Sequence, residues 1–149
     1  MKLSTKGRYG LKAMFELALH YGKGPIPLKN IADSQRISEH YLEQLIATLR
    51  KNGLVNSVRG AQGGYMLSEK PDNITVGQII RVLEGSIAPS DCVADDEDLT
   101  CNREKQCVTK IVWEKIRDSI NEVIDSITLQ DMVDDHERLN NDRGYMYYI

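Results

Sequence analysis

Apolar residues recur at spacings of three and four in three stretches of the first half of the chain, which predicts three amphipathic helices. The first helix begins after Ser4, a favourable N-cap, and ends before Gly22; the third begins after Ser38 and ends before Gly53. A shorter helix lies between them, within IPLKNIADSQRIS. The residues that we expect to face the core are Leu11, Met14, Phe15, Leu17, Ala18 and Tyr21 in the first helix, Leu28, Ile31 and Ala32 in the second, and Leu42, Leu45, Ile46 and Leu49 in the third. A short helix joined by a polar turn to a longer, capped helix predicts a helix-turn-helix.

Two β-prone runs follow the third helix, LVNSV and GYMLS, with Arg59 in the glycine-rich loop between them. This pattern predicts a β-hairpin, which after a helix-turn-helix forms a wing. The next stretch, TVGQIIRVLEG, predicts a helix capped by Thr75 that packs back on the first helix. The expected fold class is therefore mainly α with a small β-hairpin wing, with a winged helix-turn-helix DNA-binding domain over residues 1–85.

The second half of the chain predicts a loop followed by one long helix. Residues 86–107 have no periodicity and include the acidic run DDED, which favours an exposed loop. The stretch over residues 108–133 predicts a helix, and residues 134–149 a C-terminal tail. The apolar stripe of this long helix consists of Val108, Ile111, Val112, Ile116, Ile120, Val123, Ile124 and Ile127. Such a stripe can pack on its own domain, but a two-helix seam between protomers fits it better.

Charge is distributed unevenly along the chain. The net charge is −3, yet residues 1–70 carry 11 Lys and Arg against 5 Asp and Glu, whereas residues 71–149 carry 8 against 17. A basic first half indicates a nucleic-acid module, although an excess of solvated lysines would give the same pattern. With 41% hydrophobic residues and no apolar run long enough to cross a bilayer, the composition predicts a soluble protein with no membrane association. Because the first residues also lack the apolar core of a signal peptide, we expect a cytoplasmic location.

The predicted DNA contacts come from three places. A recognition helix reads base edges with its N-terminal turns, which here carry Ser38, Glu39, His40, Tyr41, Glu43 and Gln44. An ordinary solvated helix face is the competing interpretation of each of these side chains. At the wing tip, Arg59 suits a narrow minor groove, and the surrounding glycines permit close backbone approach; they are Gly60, Gly63 and Gly64. Lys6, Arg8 and Tyr9 are candidate phosphate contacts on the first helix.

Three stretches of the sequence carry a family resemblance. MKLSTKGRYGLKAM, SEHYLEQLIATLRKNGLVNSVRGAQGGYMLS and TVGQIIRVLEG together resemble the Rrf-two family of dimeric winged-helix transcription regulators, and the resemblance extends over nearly the whole chain. It implies a homodimer joined through the long helix at 108–127. It also implies binding to double-stranded DNA at a pseudo-palindromic operator.

The three cysteines lie together, at Cys92, Cys101 and Cys107, with the spacing C-x8-C-x5-C. Cluster-binding members of the family carry three cysteines in the loop before the dimer helix, so the resemblance implies an iron-sulfur cluster of the 2Fe-2S type. Thiolates are the usual cluster ligands, and a fourth ligand must come from elsewhere. The sequence therefore favours a sensor of iron-sulfur status that controls iron-sulfur biogenesis or related genes.

The fourth ligand is unknown. Family members supply it from a histidine three residues after the last cysteine, where this chain has Lys110, or from an N-terminal acidic residue, where it has Arg8. The candidate substitutes are Asp91, Asp95–Asp98, Glu104 and a residue of the partner protomer. Other interpretations of the cysteines also stay open: a redox switch between Cys101 and Cys107, a zinc site, or no role.

The C-terminal sequence RGYMYYI suggests an alternative function. It resembles tails that insert a terminal isoleucine into cysteine synthase, and the ends of the family's cysteine-metabolism repressors; here that residue is Ile149. A tail that is packed against its own dimer or disordered is the competing interpretation. An enzyme would need one of the cysteines to pair with His20, His40 or His136. Because the cysteines share one hydrophilic loop and no nucleophile elbow or phosphate-binding turn lies near, we expect no enzymatic activity.

Overall fold

The structure is a computed structural model that describes residues 2–95 and 104–146. It is mainly helical and contains a two-stranded antiparallel hairpin, which confirms the predicted fold class. The elements are α1 (Thr5–Leu19), α2 (Leu28–Gln35), α3 (Glu39–Lys51), β1 (Val55–Val58), β2 (Gly64–Leu67), α4 (Val76–Glu84), α5 (Val108–Ser126) and α6 (Leu129–Met146). Short 3-10 turns occur at Pro71–Asn73, Asp91–Val93 and Glu104–Gln106. Within the described ranges, none of these helices is long and apolar enough to cross a membrane.

The core lies between α1, α2, α3, α4 and the hairpin, and it contains the apolar stripes that the sequence predicts. All four predicted positions of α3 are buried, as are two of the three in α2 and three of the six in α1. Tyr21 departs most from the prediction because α1 ends at Leu19, and its side chain is 44% exposed. The predicted packing of α4 on α1 is also present. A Cβ on Gly10 would lie only 2.0 Å from the nearest methyl of Leu83, so glycine permits this close approach.

The chain after residue 107 differs from the prediction of one long helix over residues 108–133. Helix α5 ends at Ser126, and two residues then run extended: the N–H of Val76 donates to the carbonyl of Ile127 at 2.8 Å. Thr128 and Asp131 then exchange side-chain to backbone hydrogen bonds of 2.9 and 3.1 Å, which begins a new helix.

Helix α6 continues to Met146 and therefore includes most of the segment expected to form a tail. It packs against α1. The rings of Phe15 and His136 meet edge to face, with centroids 5.3 Å apart. Ile149 lies outside the described residues.

Helix α5 has no fully buried residue. Its exposed apolar side chains are Val108 at 74%, Ile111 at 52%, Val112 at 47% and Val123 at 57%. The segment before α5, expected to be an exposed loop, differs from that expectation at Val93, which is 3% exposed and packs next to α5. The guanidinium of Arg117 donates to the Val93 carbonyl at 3.2 Å. A single chain thus leaves these four side chains exposed, whereas Ile116, Ile120 and Ile124 of the same stripe are half-buried.

Candidate nucleic-acid interface and cysteine segment

The N-terminal turns of α3 present polar side chains to solvent. Ser38 caps the helix, and its hydroxyl accepts from the N–H of Tyr41 at 3.3 Å. Glu39, His40, Glu43 and Gln44 are exposed on these turns, opposite the buried leucine stripe. The side chains of His40 and Gln44 approach each other to 3.4 Å. The structure therefore brings the predicted base-contacting residues together on the outer face of one helix.

Tyr41 differs from its neighbours because it is half-buried and joins α3 to α1. Its ring meets Tyr9 edge to face, with centroids 5.9 Å apart, and its hydroxyl lies 3.1 Å from the Thr5 hydroxyl. The ammonium of Lys12 lies 5.5 Å from the centre of the Tyr9 ring. Tyr9 and Tyr41 thus set the position of α3 relative to the start of α1.

The N-terminus of α1, which carries the exposed side chains of Lys6 and Arg8, is held by Glu84 of α4. The Glu84 carboxylate accepts from the N–H of Ser4 at 2.9 Å, from the N–H of Gly7 at 3.0 Å and from the Ser4 hydroxyl. The Ser4 hydroxyl, followed by the backbone donors, holds the pKa of Glu84 below its ordinary value. Sequence reasoning missed Glu84, although Gly7 inside a helix was a signal of close approach.

The wing loop makes a tight turn with Arg59 exposed at its tip. Gly60 has a φ of +110°, and the N–H of Gly63 donates to its carbonyl at 3.0 Å. A Cβ on Gly63 would lie 2.2 Å from the carbonyl oxygen of Val58, so this position requires glycine. The turn geometry by itself explains these two glycines.

Gly64 anchors the wing to the segment before α2. Tyr65 and Ile26 exchange backbone hydrogen bonds of 2.8 and 2.9 Å. A Cβ on Gly64 would lie 2.2 Å from the carbonyl oxygen of Ile26, so glycine permits this bridge. The hairpin is therefore held beside the helix-turn-helix, and its tip projects in a defined direction.

Two of the three cysteines lie in the described part of the chain, and both lie close to α5. Cys92 is half-buried in the turn Asp91–Val93, with its sulfur 3.4 Å from the Ser90 hydroxyl. Cys107 immediately precedes α5, and its sulfur lies 3.1 Å from the Thr109 hydroxyl. That hydroxyl, followed by the backbone N–H and the charge of Lys110, lowers the pKa of Cys107 and favours its thiolate.

Cys101 lies outside the described residues, together with most of the acidic run that was considered for the fourth ligand. Among the described residues, no group of three His, Cys, Asp or Glu side chains is close enough to hold a metal ion. The donor type nevertheless fits an iron-sulfur cluster, because thiolates are its usual ligands and the pKa of Cys107 is lowered in the direction of that form.

A capped recognition helix, a wing with an arginine tip and a basic first half define a winged helix-turn-helix DNA-binding protein. The family model described as an iron-dependent transcriptional regulator, Rrf2, matches residues 3–135. The chain therefore belongs to the Rrf2 family of transcriptional regulators.

Similar proteins include two kinds of regulator from this family. The HTH-type transcriptional regulator CymR of Bacillus subtilis is 50% identical over 149 residues, which is the whole of both chains. Its solved structure, described as that of the global cysteine regulator, matches with a TM-score of 0.73 and covers 89% of this chain and 95% of that chain. The solved structure of T. potens IscR matches with a TM-score of 0.78 and 57% identity, and covers 99% of this chain and 97% of that chain. The IscR regulator of Pectobacterium atrosepticum is 41% identical over 140 residues, which is 94% of this chain and 84% of that protein.

Proposed function

We propose that this transcription regulator is a homodimer that senses iron-sulfur status through a 2Fe-2S cluster held by Cys92, Cys101 and Cys107. The observation that carries the proposal is that both described cysteines lie against α5: Cys107 immediately precedes the helix, and the Cys92 turn is hydrogen-bonded to its middle, where Arg117 donates to the Val93 carbonyl. The whole-chain similarity to T. potens IscR and the iron-dependent description of the family model support it.

Helix α5 supports the homodimer part of the proposal. Three valines and one isoleucine are exposed on it, and such apolar side chains are stable when they pack on the same surface of a second copy. Two copies would present two recognition helices and two wings, as a pseudo-palindromic operator requires.

The residues have distinct tasks in DNA binding. The polar N-terminal face of α3 enters the major groove, where Glu43 and Gln44 can discriminate bases, while Arg59 of the wing reaches the minor groove. Lys6 and Arg8 contact phosphates and add affinity without sequence information. The cysteine segment acts on these elements through α5, because it adjoins that helix.

The experiment that tests this function compares DNA binding with and without the cluster. An operator is selected from random duplex DNA with anaerobically reconstituted wild type, and its affinity is measured at fixed salt for that protein, for its chelator-treated apo form and for Cys101→Ala. We expect the apo form and Cys101→Ala to bind alike and to differ from the reconstituted wild type. Equal affinity in all three samples would contradict cluster sensing and leave the DNA-binding assignment intact.

A second candidate function is repression of cysteine metabolism, which the 50% identity to CymR over both full chains favours. In this form the tail ending at Ile149 would bind cysteine synthase. Deletion of residues 145–149 tests it, with binding to purified cysteine synthase measured by calorimetry beside operator affinity. Loss of enzyme binding with unchanged operator affinity would support this function, and absence of binding by the full chain would contradict it.

A further inference from the structure

The contact between α5 and the DNA-binding domain includes one bidentate ion pair, which we call the Arg81 latch. It consists of Arg81 on α4 and of Asn121 and Asp125 on α5. The two terminal nitrogens of Arg81 donate to the two carboxylate oxygens of Asp125 at 2.8 and 2.7 Å, and one of them also donates to the Asn121 side-chain oxygen at 3.0 Å. Because Asn121 and Asp125 are one turn apart on α5, the planar guanidinium defines the rotation of that helix as well as its distance.

The neighbouring backbone is shaped to admit this ion pair. Gly77 is buried on α4, and a Cβ at its position would lie 2.0 Å from a carboxylate oxygen of Asp125 and 3.0 Å from Arg81 Nη1. Any other residue at position 77 would displace Asp125. The glycine and the three polar side chains therefore form one contact in which the backbone leaves the space that the ion pair occupies.

Backbone hydrogen bonds tie the C-terminal end of α5 to the same domain. Val76 N–H donates to the Ile127 carbonyl at 2.8 Å, and Leu129 N–H donates to the Ile74 carbonyl at 2.9 Å. These bonds hold one end of the helix and leave its direction to side-chain contacts. The Arg81 latch lies on the last turns of α5 and is one of these side-chain contacts, in addition to the bond from Arg117 to the Val93 carbonyl.

The Arg81 latch contributes little to the stability of the fold, so its role is better explained by the orientation that it gives to α5. The Arg81 side chain is 34% exposed and the Asp125 side chain 48% exposed, and ion pairs this open to solvent contribute little to folding. The bidentate geometry, by contrast, restricts how α5 can rotate on α4. In turn, α4 holds α1 through Glu84, and α1 holds α3 through the Tyr9 and Tyr41 rings.

We propose that Arg81 is a positioning residue for operator recognition: by holding α5 on α4, it sets the separation of the two recognition helices and thereby the half-site spacing that the dimer accepts. The inference rests on the proposed homodimer through α5. Two-fold DNA-binding proteins require half-sites about one helical turn or a multiple of it apart, so a small rotation of α5 changes which spacing fits.

The test measures spacing preference rather than affinity alone. The operator selected with wild type is remade with one base pair inserted or deleted at its centre and as a single half-site. Affinities are then measured at fixed salt for wild type, Arg81→Gln, Arg81→Lys and Gly77→Ala. The matched control is Arg138→Gln, which removes an exposed 3.0 Å ion pair to Asp135 on α6.

We expect wild type and Arg138→Gln to prefer the original spacing by at least about tenfold, which corresponds to about 1.4 kcal/mol. In Arg81→Gln the preference should fall to less than about threefold, while affinity for the single half-site stays within about twofold. Arg81→Lys and Gly77→Ala, which keep both charges, should lose preference as well, because they lose the fork geometry or displace Asp125.

Three results overturn the inference, and they are distinguishable. If all variants keep the wild-type spacing preference, the Arg81 latch does not set half-site spacing, and the proposed dimer stands. If wild type sediments as a monomer at the concentrations of the assay, the proposed homodimer fails and the inference fails with it. A variant that loses affinity equally for all DNA duplexes is merely less folded, and that result counts against the positioning role.

Discussion

Replacement of Glu84 tests the contact that holds the start of α1. In Glu84→Ala two backbone N–H groups at the helix N-terminus lose their acceptor, while Ser4 still caps the N–H of Lys6 at 3.2 Å. Loss of a cap costs about 1 kcal/mol, and loss of a negative charge at a helix N-terminus about 0.5 kcal/mol. Because solvent screens the charge of the half-buried Glu84, this sum is an upper limit, and we expect the free energy of unfolding to decrease by about 1 to 1.5 kcal/mol. Glu84→Gln keeps an acceptor and should cost only about 0.5 kcal/mol.

The pH dependence of the Glu84 effect has a definite sign. The pKa of Glu84 is lowered in the folded protein from an ordinary value of 4.5, so the folded state prefers the ionised form. The contribution of ionised Glu84 to the free energy of unfolding is fully present above pH 4.5, and it is lost as the pH falls through the lowered pKa of the folded state. The difference between wild type and Glu84→Ala should therefore shrink on acidification.

The assay is urea unfolding followed by circular dichroism at pH 7 and at several acidic values, at one protein concentration because a dimer's stability depends on it. Glu69→Ala, which removes an exposed carboxylate, is the matched control and should change stability by less than about 0.5 kcal/mol. The reasoning is refuted if Glu84→Ala matches this control at pH 7, or if its effect grows as the pH falls.

Three further predictions concern the wing, the core and the cysteine segment. Arg59→Ala should weaken specific operator binding by about 1–3 kcal/mol at fixed salt; unchanged affinity would remove the wing from recognition. Leu42 is fully buried, so Leu42→Ala should lower the free energy of unfolding by about 2–5 kcal/mol, while Leu139→Ala, at a side chain 58% exposed, should cost less than about 0.5 kcal/mol. A similar urea midpoint for these two variants would contradict the burial. Thr109→Val should raise the pKa of Cys107 and slow its alkylation at neutral pH in the cluster-free protein, and an equal rate would show that the hydroxyl does not favour the thiolate.

The elements that the sequence predicts correctly are those whose bounds and buried face depend only on their own residues. Helix α3 has a cap at Ser38 and a stripe of four apolar residues at helical spacing, and all four are buried. The break between α5 and α6 was missed because apolar spacing continues across Ile127. It depends on backbone bonds to residues more than 50 positions earlier, such as Val76. One local signal of this break is nevertheless present in the sequence: Thr128-x-x-Asp131 is a capping pattern, and it marks the start of α6.

In the candidate site, too, local patterns are predicted from the sequence and contacts between distant residues are not. Sequence reasoning selected the exposed polar face of α3 because a recognition helix must present such a face. It could not find the Glu84 contact or the Arg81 latch, which join residues 77 to 80 and 40 to 44 positions apart, respectively. Glycines were the available hints in both places, since Gly7 and Gly77 lie inside helices where only a close neighbour explains them.

The central claim is that the cysteine segment holds an iron-sulfur cluster, and the most direct measurement is made on protein purified without oxygen. The visible absorption spectrum is recorded with iron and sulfide analysis for wild type and for Cys107→Ala. We expect a coloured wild type that contains iron and sulfide, and a pale variant that contains neither. A colourless, iron-free wild type that resists reconstitution would contradict it.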